Sequence, residues 1–150
     1  MENIFDPRVA AKIIARINQL TPDSKPLWGK MSVSKMLAHC NITYELVYTD
    51  KHPKPNAFMK FILKLLVKKK VINEEPYKQN GPTAPAFIIK DDKDFAAEKA
   101  RLIDHINTTQ QHGRAFFDHK ESHSFGPLTA DEWNNMFYKH LDHHLRQFGV

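Results

Sequence analysis

The sequence predicts an all-α fold, a four-helix bundle with a long crossover, and three observations lead to this prediction. Four stretches place apolar residues three and four positions apart, which is the spacing of an amphipathic helix. The connection between the second and third bundle helices is long, as a bundle requires when consecutive helices run parallel. The 150 residues contain no internal repeat, low-complexity tract or domain linker, so we expect one domain over 1–150.

The first two helices are predicted at about 7–20 and 32–49. Asp6 offers a side-chain acceptor at the N-cap of the first helix, and the following proline has the fixed φ of a first helical position. The stretch "TPDSKP" at 21–26 ends the first helix, and "HPKP" at 52–55 ends the second.

The crossover is predicted to carry an extra helix, "NAFMKFILKLLVKKKVI" at 56–72, followed by an irregular connection at 73–87. We interpret the extra helix as lying on the bundle, with lysine stems covering its apolar surface. The alternative is a surface-seeking amphipathic helix for a membrane or a partner. We favour the former because the lysines cluster at the end of the segment.

The last two bundle helices are predicted after the crossover. One runs over about 94–109, and the segment 113–127 is expected to be a loop. Thr129 and Glu132 in "TADE" have the spacing of a capping box, which starts the last helix, and Gly149 ends it.

Composition limits the classes of partner and compartment. The net charge is +5, but much of the excess falls at 60–70, so we expect a solvated basic face and no nucleic-acid partner. The first 20 residues do not resemble a signal peptide, and no apolar window of about 18 residues predicts a transmembrane segment. Cys40 is the only cysteine, which excludes an intramolecular disulfide and fits the reducing cytoplasm.

Three histidines are candidate metal ligands. His140 and His144 are four positions apart on the apolar side of the last helix, so their rings differ by about 40° and about 6 Å and can share one ion. His39, beside the apolar stripe of the second helix, is the candidate third ligand. The alternative is a set of hydrogen-bonded core histidines. His143 faces the polar side.

The remaining chemistry-bearing residues receive structural interpretations. Cys40 is expected to be a small buried thiol, because adjacent helical residues point about 100° apart and cannot easily reach one ion. Asp142 is expected to form a surface salt bridge. The other histidines are expected to be solvated: His52, His105, His112, His119 and His123. The loop that carries His119 and His123 could overhang the site.

Three motifs resemble a known family: "WGKMSVSKMLAHC" (28–40), "FGPLTADEW" (125–133) and "YKHLDHHLRQFG" (138–149). They are similar to the DinB-like superfamily, which includes the bacillithiol and mycothiol S-transferases, and most similar to its branch with a C-terminal KHxDHHLRQFG helix. The resemblance extends over nearly the whole chain. It implies a four-helix bundle with a long connection between helices two and three, and frequent dimers.

The resemblance also implies a site and a function. It places a metal triad on His39, His140 and His144, holding a divalent ion, zinc or nickel, with water at the open positions. We therefore expect a metal-dependent hydrolase or thiol S-transferase acting on a small molecule such as a low-molecular-weight thiol, in a homodimer. The residues that hold the thiol in the transferases have no match that we can align here. The alternatives are a non-catalytic helical module, and a membrane or nucleic-acid binder working through 60–70.

Overall fold

The computed structural model describes residues 1–150 and is mostly helical, which confirms the predicted class. One short antiparallel hairpin interrupts the helices. The elements in chain order are α1 (Pro7–Gln19), α2 (Val33–Tyr48), α3 (Ala57–Leu66), α4 (Lys68–Ile72), a 3-10 turn (Pro85–Phe87), α5 (Phe95–Phe117), β1 (Lys120–Ser122), β2 (Gly126–Leu128) and α6 (Ala130–Gln147). None of these helices combines the length and the apolar character that crossing a membrane requires.

The helix starts follow from local capping. The Asp6 side chain accepts a hydrogen bond from the Arg8 amide at the start of α1. At the start of α6, the Thr129 hydroxyl accepts from the Glu132 amide and the Glu132 carboxylate accepts from the Thr129 amide. The predicted capping box is therefore confirmed, and it fixes where the helix with two candidate ligands begins.

The hydrophobic core lies between α1, α2, α5 and α6. α2 packs against both α5 and α6, and α1 packs against α5 and α6. Tyr44 of α2 stacks on Phe137 of α6 with ring centroids 5.0 Å apart and planes 4° apart. This packing holds the middle of α2 beside the C-terminal half of α6, where the candidate ligands lie.

The predicted loop at 113–127 is wrong. α5 continues to Phe117, with one interruption at Gly113, whose φ of 67° and ψ of 177° are non-helical. A positive φ costs glycine little, because it has no Cβ. The chain stays on the core because Phe117 is fully buried and packs on Trp133 and Phe137. The hairpin of β1 and β2 then occupies 120–128.

The crossover helix predicted at 56–72 is divided at Val67 into α3 and α4. Its interpretation as a helix with covered apolar surface holds only in part. α4 packs against α6, but α3 has no buried residue. Its large apolar side chains point into solvent, with exposed fractions of 73% for Phe58, 61% for Phe61 and 66% for Leu65. Lysine stems do not cover this face.

Two isoleucines allow a test of where the core lies. Ile106 of α5 is fully buried, whereas Ile88 is 52% exposed. We expect Ile106→Ala to lower the free energy of unfolding by about 2–5 kcal/mol, because it removes buried methyl groups and leaves a cavity. Ile88→Ala should change it by less than about 0.5 kcal/mol. Urea denaturation followed by circular dichroism measures both, and equal losses would contradict this description of the core.

Candidate metal centre

Three histidines from two helices meet inside the molecule. His39 lies in the middle of α2, and His140 and His144 lie one turn apart on α6. Their ring centroids form a nearly equilateral triangle, with sides of 4.6 Å, 4.8 Å and 4.8 Å. One ligand atom from each ring lies within 4.8 Å of the others. The residues predicted from spacing are therefore close enough to bind one metal ion.

The outer nitrogens of two of these rings are held by acceptors. His39 Nδ1 lies 2.9 Å from the Phe87 carbonyl oxygen, and His144 Nδ1 lies 2.8 Å from Gln147 Oε1. Gln147 Nε2 donates to the Trp28 carbonyl oxygen, which orients the amide so that its oxygen faces the imidazole. A carbonyl or amide oxygen only accepts, so Nδ1 carries the proton in both rings. Their Nε2 atoms therefore have free lone pairs.

The outer nitrogen of the third ring, His140, bonds to a group that can either donate or accept a hydrogen bond. His140 Nδ1 lies 2.9 Å from the Thr43 hydroxyl oxygen, and a hydroxyl can donate or accept. His140 Nε2 lies 2.9 Å from His39 Nε2. If the Thr43 hydroxyl accepts, all three Nε2 atoms are unprotonated and suited to a metal ion. If it donates, His140 Nε2 donates to His39 and the rings form a hydrogen-bonded pair.

Burial keeps the three imidazoles neutral. It lowers the pKa of His144 to about 3, with the neighbouring His39 adding to the effect. Burial also lowers the pKa of His140 well below its usual value and lowers that of His39. Metal ions bind neutral imidazole, so protons do not compete for these nitrogens at neutral pH.

The donor set fits a divalent transition ion. Ligand nitrogens around a tetrahedral zinc ion stand about 3.3 Å apart, given Zn–N distances of about 2.05 Å. The separation of 2.9 Å between His39 Nε2 and His140 Nε2 and the upper limit of 4.8 Å among the three ligand atoms bracket this value. Three imidazoles suit zinc, nickel, copper or iron rather than calcium or magnesium, which prefer oxygen.

A cavity of about 330 Å³ lies near the triad, although none of the three histidines lines it. His143 is not one of the three ligands but lies next to them, with its ring centroid 5.0 Å from that of His144; it contributes to the cavity wall and contacts the rings of Trp28 and Tyr77 with centroids 5.9 Å and 5.6 Å away. Lys139 and Arg146 also line it. The Tyr77 ring meets His140 edge-on, with centroids 6.5 Å apart, and so connects the cavity to the triad. The volume is in the range of small-molecule sites.

The hairpin histidines do not overhang the site. His119 is exposed, and His123 Nε2 lies 3.2 Å from the His52 carbonyl oxygen. His52 and His105, expected to be solvated, are instead half-buried: His52 pairs with Glu45, and His105 bonds to an asparagine of α2.

Two other interpretations agree with the structure. Cys40 is buried, and burial raises the pKa of its thiol, so it is not a nucleophile. Asp142 forms salt bridges with Arg16, at 2.8 Å, and with Arg146, at 3.7 Å. It therefore does not orient a ligand imidazole.

The residues that orient the rings were not predicted. Thr43 follows His39 by four positions and Gln147 follows His144 by three, so helical spacing alone places each on the same face as a ligand. Phe87 acts through its backbone carbonyl, for which no side-chain pattern exists.

The sequence pattern of a protein family matches residues 8–149, which include all three histidines. The family is described as "Protein of unknown function (DUF1569)". The chain belongs to this family. No curated protein and no solved structure matches the chain. Within this DUF1569 domain, the geometry of the triad is therefore the main source of functional information.

Burial of the triad predicts a pH dependence of stability in the metal-free protein. The folded imidazoles have lowered pKa values, so the unfolded chain binds more protons below pH about 6.5. The stability that the neutral imidazoles contribute is therefore present above that pH and is lost as the pH falls towards their folded pKa values. Each such imidazole changes the free energy of unfolding by up to about 1.4 kcal/mol per pH unit. Urea denaturation between pH 7 and pH 5, in chelator, measures the slope.

His144→Asn should reduce this slope, because it removes the group whose pKa is lowered to about 3. His119→Asn is the matched control, since that side chain is exposed and asparagine tolerates its positive φ of 57°. If both variants keep the full slope of the unchanged protein, the triad is not the source of the pH dependence.

Proposed function

We propose that this protein binds one divalent metal ion, zinc or nickel, through Nε2 of His39, His140 and His144. The observation that carries the proposal is the orientation of the rings: their outer nitrogens have hydrogen-bond partners and their inner nitrogens converge. Metal-binding histidines in proteins usually have such partners for the second ring nitrogen.

We also propose that the chain has the DinB-like fold. In this proposal α1, α2, α5 and α6 are the four bundle helices, and the connection between α2 and α5 is the long crossover. The shared core of these helices and the placement of α3 and α4 within the connection support it. The positions of the three histidines, one on the second bundle helix and two on the fourth, support it as well.

The proposed activity is metal-dependent hydrolysis or thiol S-transfer on a small molecule. A divalent ion with three protein ligands supplies an open position, where a water or thiol is held in a more acidic form. The chain offers a place for a substrate near the triad, because Tyr77 both lines the cavity of about 330 Å³ and contacts the ring of His140. Trp28 and Tyr77 offer apolar walls, and Arg146 offers a cation.

A second candidate function is a non-catalytic helical module. The 2.9 Å separation of His39 Nε2 and His140 Nε2 favours it, because one ring can donate directly to the other in a metal-free core. A metal used only for stability belongs to the same class. In either form, no reaction would depend on the ion.

Metal content tests the first proposal. We expect the protein purified without chelator to carry one zinc or nickel ion per chain. His140→Ala and His144→Ala should each reduce the content to below about a tenth, because two imidazoles rarely make a tight site. His143→Ala, next to a ligand on the same helix but outside the triad, should keep the ion. Inductively coupled plasma mass spectrometry measures all four proteins.

Retention of the full metal content in both ligand variants would contradict the site. Loss of metal in His143→Ala, with circular dichroism unchanged, would contradict the assignment of the ligands.

Metal removal separates the catalytic from the structural candidate. A ligand at about one hundred times its dissociation constant stabilises a folded protein by about 2.7 kcal/mol, so thermal denaturation should shift on chelation in both cases. Only the catalytic proposal expects chelator-sensitive turnover across a panel of activated esters, amides and thiol-plus-electrophile pairs. Adding zinc or nickel back should restore that turnover.

The homodimer remains a prediction, which analytical ultracentrifugation tests.

A further inference from the structure

Helix α3 exposes a continuous apolar face. Phe58, Phe61 and Leu65 follow one another at spacings of three and four, and Leu66 lies beside them with 62% of its side chain exposed. Residues at these spacings share one side of a helix. Contiguous exposed apolar surface of this kind is uncommon on monomeric proteins and marks an interaction surface.

Two lysines of the crossover, one in α3 and one in α4, point towards the domain. Lys60 pairs with Glu121 of the hairpin, and Lys68, at the start of α4, lies 3.2 Å from Glu132 of α6. Lys60 therefore lies on the side of α3 that faces the domain, and the exposed apolar side chains lie on the opposite side.

Strong positive charge surrounds the apolar face. Residues 51–72 contain seven lysines and no acidic residue, whereas the rest of the chain, with 15 basic and 17 acidic residues, has a net charge of −2. The lysines of this segment that form no ion pair are Lys54, Lys64, Lys69 and Lys70. The partner that complements this surface is anionic outside and apolar inside.

We propose that α3 docks the protein onto an anionic lipid surface, lying in the plane of the interface. Its apolar side chains would enter the boundary between headgroups and acyl chains, and the unpaired lysines would contact anionic headgroups. A second copy fits less well, because a two-fold contact through α3 would bring the four unpaired lysines of one copy towards those of the other. A nucleic acid offers phosphates but no apolar phase for the phenylalanines.

Vesicle sedimentation tests the proposal with the full-length protein. We expect binding to vesicles of equal parts phosphatidylcholine and phosphatidylglycerol, and at least tenfold weaker binding to pure phosphatidylcholine. Leu65→Ser should weaken binding to the anionic vesicles at least tenfold, because it removes an apolar side chain that would be buried in the lipid. Leu27→Ser is the matched control: its leucine is 70% exposed, compared with 66% for Leu65, but lies outside α3.

Replacing Lys64, Lys69 and Lys70 with glutamine should weaken binding about a hundredfold, given the contribution of each lysine near an anionic surface. The same change at the exposed Lys25, Lys30 and Lys90 should have a much smaller effect. Circular dichroism confirms that each variant is folded.

Fluorescence gives a second measurement that does not depend on loss of binding. Phe61→Trp should shift to shorter emission wavelength on adding anionic vesicles and be quenched by brominated lipid, whereas Ile88→Trp should not. Equal binding to neutral and anionic vesicles, or equal binding by Leu65→Ser and Leu27→Ser, would overturn the proposal. A dimer in analytical ultracentrifugation that Leu65→Ser converts to monomer would overturn it in favour of a second copy.

Discussion

Hydrogen bonds to the outer nitrogens of three imidazoles, of which His39 and His144 are buried and His140 is half-buried, are the constraint on which the candidate site depends. The Phe87 carbonyl and the Gln147 amide oxygen each fix a proton on Nδ1, and the Thr43 hydroxyl completes the set. Without these partners, burial of three imidazoles would be costly and their orientation undefined. With them, the Nε2 atoms of His39 and His144 are unprotonated, and the three rings lie next to one another.

This constraint joins distant parts of the chain. One partner belongs to the crossover, since Phe87 ends the 3-10 turn and its ring also packs on His39 at 5.4 Å. Another, Gln147, binds the Trp28 carbonyl oxygen in the loop before α2. The crossover therefore has two different surfaces: one side closes over the imidazoles, and α3 presents apolar side chains outward. The same connection thus supplies one hydrogen-bond acceptor of the candidate site and the exposed apolar helix.

Local patterns in the sequence were sufficient for the starts of α1 and α6 and for the pair of candidate ligands on α6. Capping at Asp6 and Thr129 and the four-residue spacing of His140 and His144 depend only on near neighbours, and all appear in the structure. The hairpin was missed because its strands have only three residues each, which is too short for an alternating pattern to be recognised. The outward face of α3 was the less favoured of two interpretations, because amphipathic spacing defines a stripe without saying which side meets the core. The backbone acceptor at residue 87 has no side-chain signature.

Long-range proton–nitrogen correlation spectra of the histidine rings test the central claim most directly, because they report which nitrogen carries the proton. In the metal-free protein, His39 and His144 should appear as the tautomer with the proton on Nδ1. After addition of one equivalent of zinc, the Nε2 resonances of His39, His140 and His144 should all shift, with Nδ1 protonated in each. A proton on Nε2 of His39 or His144, or a triad whose resonances zinc leaves unchanged, would contradict a metal centre built from these rings.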